Sequence, residues 1–253
     1  GGPASTTPTN GFRIPSNCEL NPQVVQASFG GSASFAACPA GTRGAGGGYL
    51  ENGLAANLFT GEPTFPNFGI EGFLCVHDAA ALSLSAYAVC VNDPGSIGYT
   101  QVQQNVAAGN AAFVQCPAGK TVIGGGCSDD TFANDRVGTS LPITTPMFGL
   151  EGWLCIYNSN VGGSLTAHAT CIDTAQASGL QVVQQNTATS STTLASCPAG
   201  NVILGGGCVD FTVTSNLLAT LPLTSPPFAN DGWACAFSAT TGNLTSVALC
   251  QAP

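Results

Sequence analysis

Cysteines, histidines and two sets of recurring acids are the side chains in this 253-residue chain whose types and spacing could do chemistry. The 12 cysteines are even in number and include no Cys-x-x-Cys pair, and the two histidines, His77 and His168, cannot complete the closely spaced ligand sets of a structural zinc site. Disulfides in an oxidising compartment are the expectation, with no metal and no cofactor. A nucleophile triad needs a histidine base oriented by an acid. His77 is followed directly by Asp78, and neighbours along a strand point to opposite faces. No catalytic residue is therefore assigned, and the chain is not expected to be an enzyme. Gly119-Lys120-Thr121 has the ending of a phosphate loop, but Val114 stands where the first glycine of that loop is required.

The acids recur as Glu51, Asp129 and Asp210, and as Glu71, Glu151 and Asp231. Carboxylate pairs could hold calcium or serve glycoside hydrolysis. The reading adopted is structural: each accepts backbone N–H bonds at a turn. Phe73, Trp153 and Trp233, two residues beyond the second set, are either sugar-stacking platforms or core beside a disulfide, and core is the expectation. His168 aligns with Tyr87 and Val247 and is expected at a surface or an interface.

What must position these residues is an internal repeat. Cys-Pro-Ala-Gly begins at Cys38, Cys116 and Cys197, spaced 78 and 81 residues apart. Every other landmark keeps step: Gln26, Gln104 and Gln185 upstream; glycine triplets at 46–48, 124–126 and 205–207; paired prolines; Phe68, Phe148 and Phe228; an acid-Gly-aromatic-x-Cys signature at 71–75, 151–155 and 231–235; and a closing Cys90, Cys171 or Cys250. In Leu165-Thr166-Ala167-His168-Ala169-Thr170-Cys171 the apolar residues alternate, which predicts a half-buried strand. Cys-Pro-Ala-Gly suits a type I turn that returns the preceding strand beside the Thr121-Val122-Ile123 run. Five or six short strands per copy and no helix are expected, in an all-β fold. The three disulfide-stapled modules are expected to pack with pseudo-threefold symmetry, β-prism-like, with a linear row of three small β-sandwiches as the alternative. The divisions are 1–20, an extended arm; 21–93, 94–174 and 175–253, the three β repeats.

Four cysteines per copy allow three pairings. The first copy has Tyr49 where the others have Cys127 and Cys208, and an additional Cys18. If the turn and closing cysteines pair, the set is Cys38–Cys90, Cys116–Cys171 and Cys197–Cys250, leaving Cys127–Cys155, Cys208–Cys235 and Cys18–Cys75. A local Cys116–Cys127 bridge, with Cys18 then joined to Cys38, stays open on spacing alone. A bridge closing some 55 residues would stabilise by roughly 4 kcal/mol in the chain-entropy model.

From about Gln23 to Cys250 the chain resembles tandem segments of secreted bacterial proteins that carry a Cys-Pro-x-Gly turn, Gly-Gly-Gly, Gly-Trp and a terminal Ala-x-Cys. Those segments often keep only the turn and closing cysteines, so the resemblance implies the first pairing. It implies no activity. Tyr49 and Cys18 depart from the pattern.

Composition bounds the function. Only 7% of residues are charged, 4 Lys+Arg against 13 Asp+Glu, where a soluble domain averages about 25%. Four cations cannot neutralise a run of phosphates, which excludes nucleic acid and anionic membrane as partners, and no apolar run has the roughly 18 residues of a membrane helix. Met147 is the only methionine and the sequence opens at Gly1, as in a processed secretory product. The first twenty residues, GGPASTTPTNGFRIPSNCEL, have the composition of an extended, O-glycosylated arm, with a frayed terminus as the alternative reading. Asn243-Leu244-Thr245 is the only N-glycosylation sequon. The expected function is a secreted, self-assembling structural protein, a subunit of an extracellular filament, tube or sheath whose partners are copies of itself. A lectin-like carbohydrate-binding module with three related sites is the alternative.

Overall fold

A computed structural model describes residues 20–51, 58–64, 69–77, 83–93, 95, 97–107, 109–129, 136–161, 164–212, 215–224 and 231–252. The fold is all-β. The first copy contributes β1 (Gln23–Phe29), β2 (Ala33–Ala37), β3 (Thr42–Glu51), β4 (Leu58–Pro63), β5 (Gly72–His77) and β6 (Leu84–Asn92). The second contributes β7 (Thr100–Val106), β8 (Gly109–Gln115), β9 (Lys120–Asp129), β10 (Val137–Ile143), β11 (Gly152–Val161) and β12 (Leu165–Asp173). The third contributes β13 (Leu180–Thr187), β14 (Ser190–Ser196), β15 (Val202–Asp210), β16 (Leu217–Leu223), β17 (Gly232–Thr241) and β18 (Leu244–Gln251). Among the described residues two short helical turns interrupt the pattern against expectation: α1 (Thr145–Phe148), a single turn with Pro146 in its first turn, stopped by Gly149 at φ 73°, and a 3-10 turn at Thr174–Gln176.

The strands form three six-stranded sheets, ordered β1-β6-β3-β16-β17-β14, β2-β5-β4-β9-β12-β7 and β13-β18-β15-β10-β11-β8. Each copy places its first, third and sixth strands in one sheet and its second, fourth and fifth in another, where they meet a different copy. Every copy pairs with both others, which a linear row of sandwiches cannot accommodate. The halves of each sheet join at a short seam: Gly61↔Cys127 in one, Thr139↔Val209 and Ser140↔Cys208 in the next, Ala219↔Leu50 and Thr220↔Tyr49 in the third.

The glycine triplets let these strands meet. A Cβ on the middle glycine would fall 2.4 Å from the Phe73 ring at Gly47, 2.5 Å from Trp153 at Gly125 and 2.4 Å from Trp233 at Gly206. A Cβ on the last glycine would fall 1.9 Å from the Thr220 carbonyl oxygen at Gly48, 2.1 Å from that of Gly61 at Gly126 and 2.3 Å from that of Ser140 at Gly207. The middle residue thus receives the aromatic of its own copy, and the last receives a strand of another.

Three local expectations are corrected. The strand before each Cys-Pro does not return as a hairpin: β8 pairs with β11 in one sheet while β9 lies in another. The turn also starts one residue later, because Thr42, Lys120 and Asn201 donate N–H bonds to Pro39, Pro117 and Pro198. Gly41, Gly119 and Gly200 then stand third, with φ of 85°, 79° and 83°, the left-handed backbone that a type II turn requires. The predicted half-buried strand Leu165–Cys171 is buried on both faces, because β12 lies inside its sheet between β9 and β7 and is packed chiefly against β8 and β11 of its own copy.

Five disulfides staple the sheets: Cys38–Cys90, Cys116–Cys171, Cys197–Cys250, Cys127–Cys155 and Cys208–Cys235. The alternative Cys116–Cys127 bridge is absent, since both cysteines are bonded elsewhere. Cys18 lies outside the described residues, as do Asp78 and residues 1–19 generally. Its expected partner Cys75 is a buried free thiol, and the Cys18–Cys75 pairing falls on a residue outside those described.

Candidate functional site

The second set of recurring acids is held by backbone N–H groups of a neighbouring strand rather than of a turn. Glu71, Glu151 and Asp231 accept the backbone N–H of Gly44, Val122 and Ile203 at 3.2, 3.0 and 3.1 Å, the same position in each copy. Each acid thereby ties the strand after the Cys-Pro turn to the start of the aromatic strand. Glu71 also pairs with Arg43 at 2.8 Å, and Arg43 with Asp93 at 3.1 Å. These two carboxylates raise the guanidinium pKa above its ordinary value. Tyr99, in the passage from the first copy to the second, lies under the Arg43 guanidinium and donates to the Gly44 carbonyl. Burial, with Glu71 nearby, pushes its phenol well above the usual range. Asp210 accepts bonds from the backbone and hydroxyls of Thr212 and Ser215. Among the described residues no cluster of acids, histidines and cysteines could hold a metal ion.

Phe73, Trp153 and Trp233 are core, exposed by only 2%, 2% and 1%. Trp153 and Trp233 donate Nε1–H to Ser140 at 3.0 Å and Thr220 at 2.7 Å. They join the fourth strand of their own copy to the fifth and offer no face to a sugar.

Both histidines are buried; of the surface or interface position expected for His168, the surface is corrected, and the residue lies where two copies meet. His168 spans a seam: its Nε2 lies 2.6 Å from Glu62 Oε2 of the first copy and 2.8 Å from Ser128 Oγ of the second. Serine, histidine and glutamate thus converge, but not as a triad. A triad places the acid and the nucleophile on opposite ring nitrogens, and here both meet Nε2, so the acid cannot hold the tautomer that would accept the serine proton. His77 lies 3.6 Å from Glu51 across the first copy, with Tyr49 edge-on to its ring. Sequence reasoning singled out His168 without Glu62 or Ser128. The signal was present in the internal alignment, where Glu62 and His168 become Leu141 and Val247 at the equivalent seam, which pack in one apolar cluster.

The surface carries the other distinctive chemistry. The outermost strands of the three sheets are β1, β14, β2, β7, β13 and β8, and none of the six contains a charged residue or a proline. Of the cations, Lys120 is paired with Asp173 at 2.7 Å and Arg43 with its two acids. Phe29 and Phe211 are each 64% exposed at one end of the molecule, and Ile70, Phe148 and Leu150 project at the other. A groove of about 330 Å³ lies beside Phe29 between β1 and β2.

No helix among the described residues is long and apolar enough to cross a membrane, and five disulfides fit an extracellular or secreted protein. Comparison with protein-family models finds none that matches the chain, and comparison with curated proteins finds no match.

Proposed function

We propose that this is a secreted structural protein that assembles with copies of itself, and that its three repeats pack with pseudo-threefold symmetry as a prism. One observation carries the reading: six edge strands without a single charge. β proteins that remain monomeric protect their edges with lysine, proline or inward charges, and unguarded edges are templates for another chain. Neutral polar side chains such as Gln103, Gln104 and Gln184, exposed along β7 and β13, cost far less to desolvate than ions. The cyclic strand exchange and five disulfides supply a body that would persist in an exposed setting. The carbohydrate-binding alternative depends on Phe73, Trp153 and Trp233, whose burial supports a packing role. Sedimentation velocity over a hundredfold concentration range, with negative-stain microscopy of the same samples, tests the proposal. Discrete oligomers or filaments are expected; a protein that stays monomeric at the highest concentration overturns it.

A further inference from the structure

We propose that Asn243 is the acceptor of an N-linked oligosaccharide, added before the third copy folds and resting against Phe211; this depends on the secreted reading and not on self-assembly. Asn243-Leu244-Thr245 is the single Asn-x-Ser/Thr sequence in the chain, and the fold places its asparagine where a bulky glycan has room. β17 ends at Thr241 and β18 begins at Leu244, so Gly242 and Asn243 form the connection between two sheets. Both are exposed, and a Cβ on Gly242 would meet nothing within 4 Å. Leu244 beside them is fully buried and paired on both sides, with Thr187 of β13 and Asp210 of β15.

An exposed aromatic stands beside the acceptor. Asp210↔Leu244 is the last pair of the β15–β18 ladder, and Phe211 and Asn243 are the next residue on each strand. Paired Cα atoms lie about 5 Å apart, which brings the first sugar on Asn243 within reach of the ring. Phe211 is 64% exposed, and the apolar C–H face of a pyranose laid over it would remove apolar surface from water. The two features occur together. In the first and second copies Asn52 and Asp130 stand in place of Phe211, and Ser83 and Ser164 in place of Asn243. The copy that has the aromatic is the copy that has the acceptor.

The threonine sets the timing. Thr245 is 2% exposed, and its Oγ1 donates to Asn186 Oδ1 at 2.7 Å across the β13–β18 ladder. A transferase that reads the hydroxyl of the sequon has no access to it once those strands have paired, so transfer precedes their pairing. The donor is an oligosaccharide linked to a lipid pyrophosphate. Asn243 Nδ2 forms the bond to C1 of the first sugar, the C1–O bond breaks with its electron pair leaving on the lipid pyrophosphate, and one amide proton passes to a base of the transferase.

The test uses the full chain secreted by its native host. Peptide mapping by mass spectrometry should find the peptide that contains Asn243 heavier by an oligosaccharide. Asn243→Gln and Thr245→Val should each abolish that mass, and Thr245→Ser, which keeps the hydroxyl, should retain it. Offered to host membranes that hold the transferase and its lipid-linked donor, unglycosylated folded protein should be modified roughly tenfold or more slowly than the reduced, unfolded chain, because only its open fraction presents Thr245. Phe211→Ser should lower the thermal midpoint of the glycosylated protein more than that of the Asn243→Gln protein. Protein recovered outside the cell with Asn243 bare overturns the site and leaves secretion and self-assembly standing. Equal transfer to folded and unfolded chains overturns the timing, and equal shifts in the two backgrounds overturn the Phe211 contact. Protein retained inside the cell overturns the secreted reading and the site with it.

Discussion

The Tyr49 hydroxyl donates to the Leu217 carbonyl at 2.6 Å, joining residues 168 apart in sequence. Tyr49 stands where Cys127 and Cys208 form disulfides in the other copies, so a hydrogen bond between the first and third copies takes the place of a bridge within the first. Its phenol is pushed well above the ordinary range by burial, which keeps it a donor at all working pH. Tyr49→Phe should leave a buried carbonyl unsatisfied and cost about 1–3 kcal/mol. Urea denaturation of the two proteins measures the difference, and equal midpoints would show that the bond contributes nothing.

Cys75 is fully buried, and burial raises its thiol pKa well above the ordinary value. Because the thiolate is the reactive form, alkylating reagents should leave Cys75 unmodified in the native protein and label it once urea is added without reductant. Peptide mapping under non-reducing conditions reads both states. Recovery of Cys75 joined to Cys18 would restore the bridge anticipated from the cysteine count.

The Glu62–His168 seam can be exchanged for its apolar counterpart. His168→Val alone should be destabilising, by about 1–3 kcal/mol, because it strips the partly buried Glu62 carboxylate of its partner. Adding Glu62→Leu reproduces the Leu141–Val247 contact of the next sheet, and the double variant should return to parental stability or exceed it by about 1–4 kcal/mol. Thermal unfolding of the three proteins decides; a double variant no better than the single would mean the seams are not equivalent.

Asp210 links stability to pH. Burial opposes its ionisation, but the bonds from Ser215 and Thr212 outweigh burial and hold its carboxyl below the ordinary carboxylate range. With the folded pKa below the unfolded value, the ionised form contributes stability that is present above about pH 3.9 and is lost as pH falls through the folded pKa. Asp210→Asn should therefore lower stability by about 1–3 kcal/mol at neutral pH and flatten the decline on acidification. Unfolding curves between neutrality and strong acid check this, and parallel declines would rule Asp210 out as a contributor.

The repeat and its disulfide spacing were legible because cysteine, glycine and proline positions recur whatever the surrounding side chains. Strand partnership was not. A Cys-Pro-Ala-Gly turn has the same local chemistry whether the chain returns beside itself or passes to another sheet, and only contacts between copies distinguish the two. The same limit hid the setting of His168: alternation identifies a face of β12 but not Glu62, which reaches that face from β4 across Gly126 of β9. For the acids, by contrast, the pattern sufficed, because Glu71, Glu151 and Asp231 bind main chain within their own copies.

The exchange of strands around the three sheets has a kinetic consequence. The sheet that contains β1 cannot be completed without β14, β16 and β17, so the first copy made is held open until the last has emerged. Loop closure across such separations makes folding slow and leaves uncharged edges exposed meanwhile. A chain halted after the second copy would therefore present two unfinished sheets, and such truncation products should aggregate or be degraded rather than accumulate as smaller folded proteins.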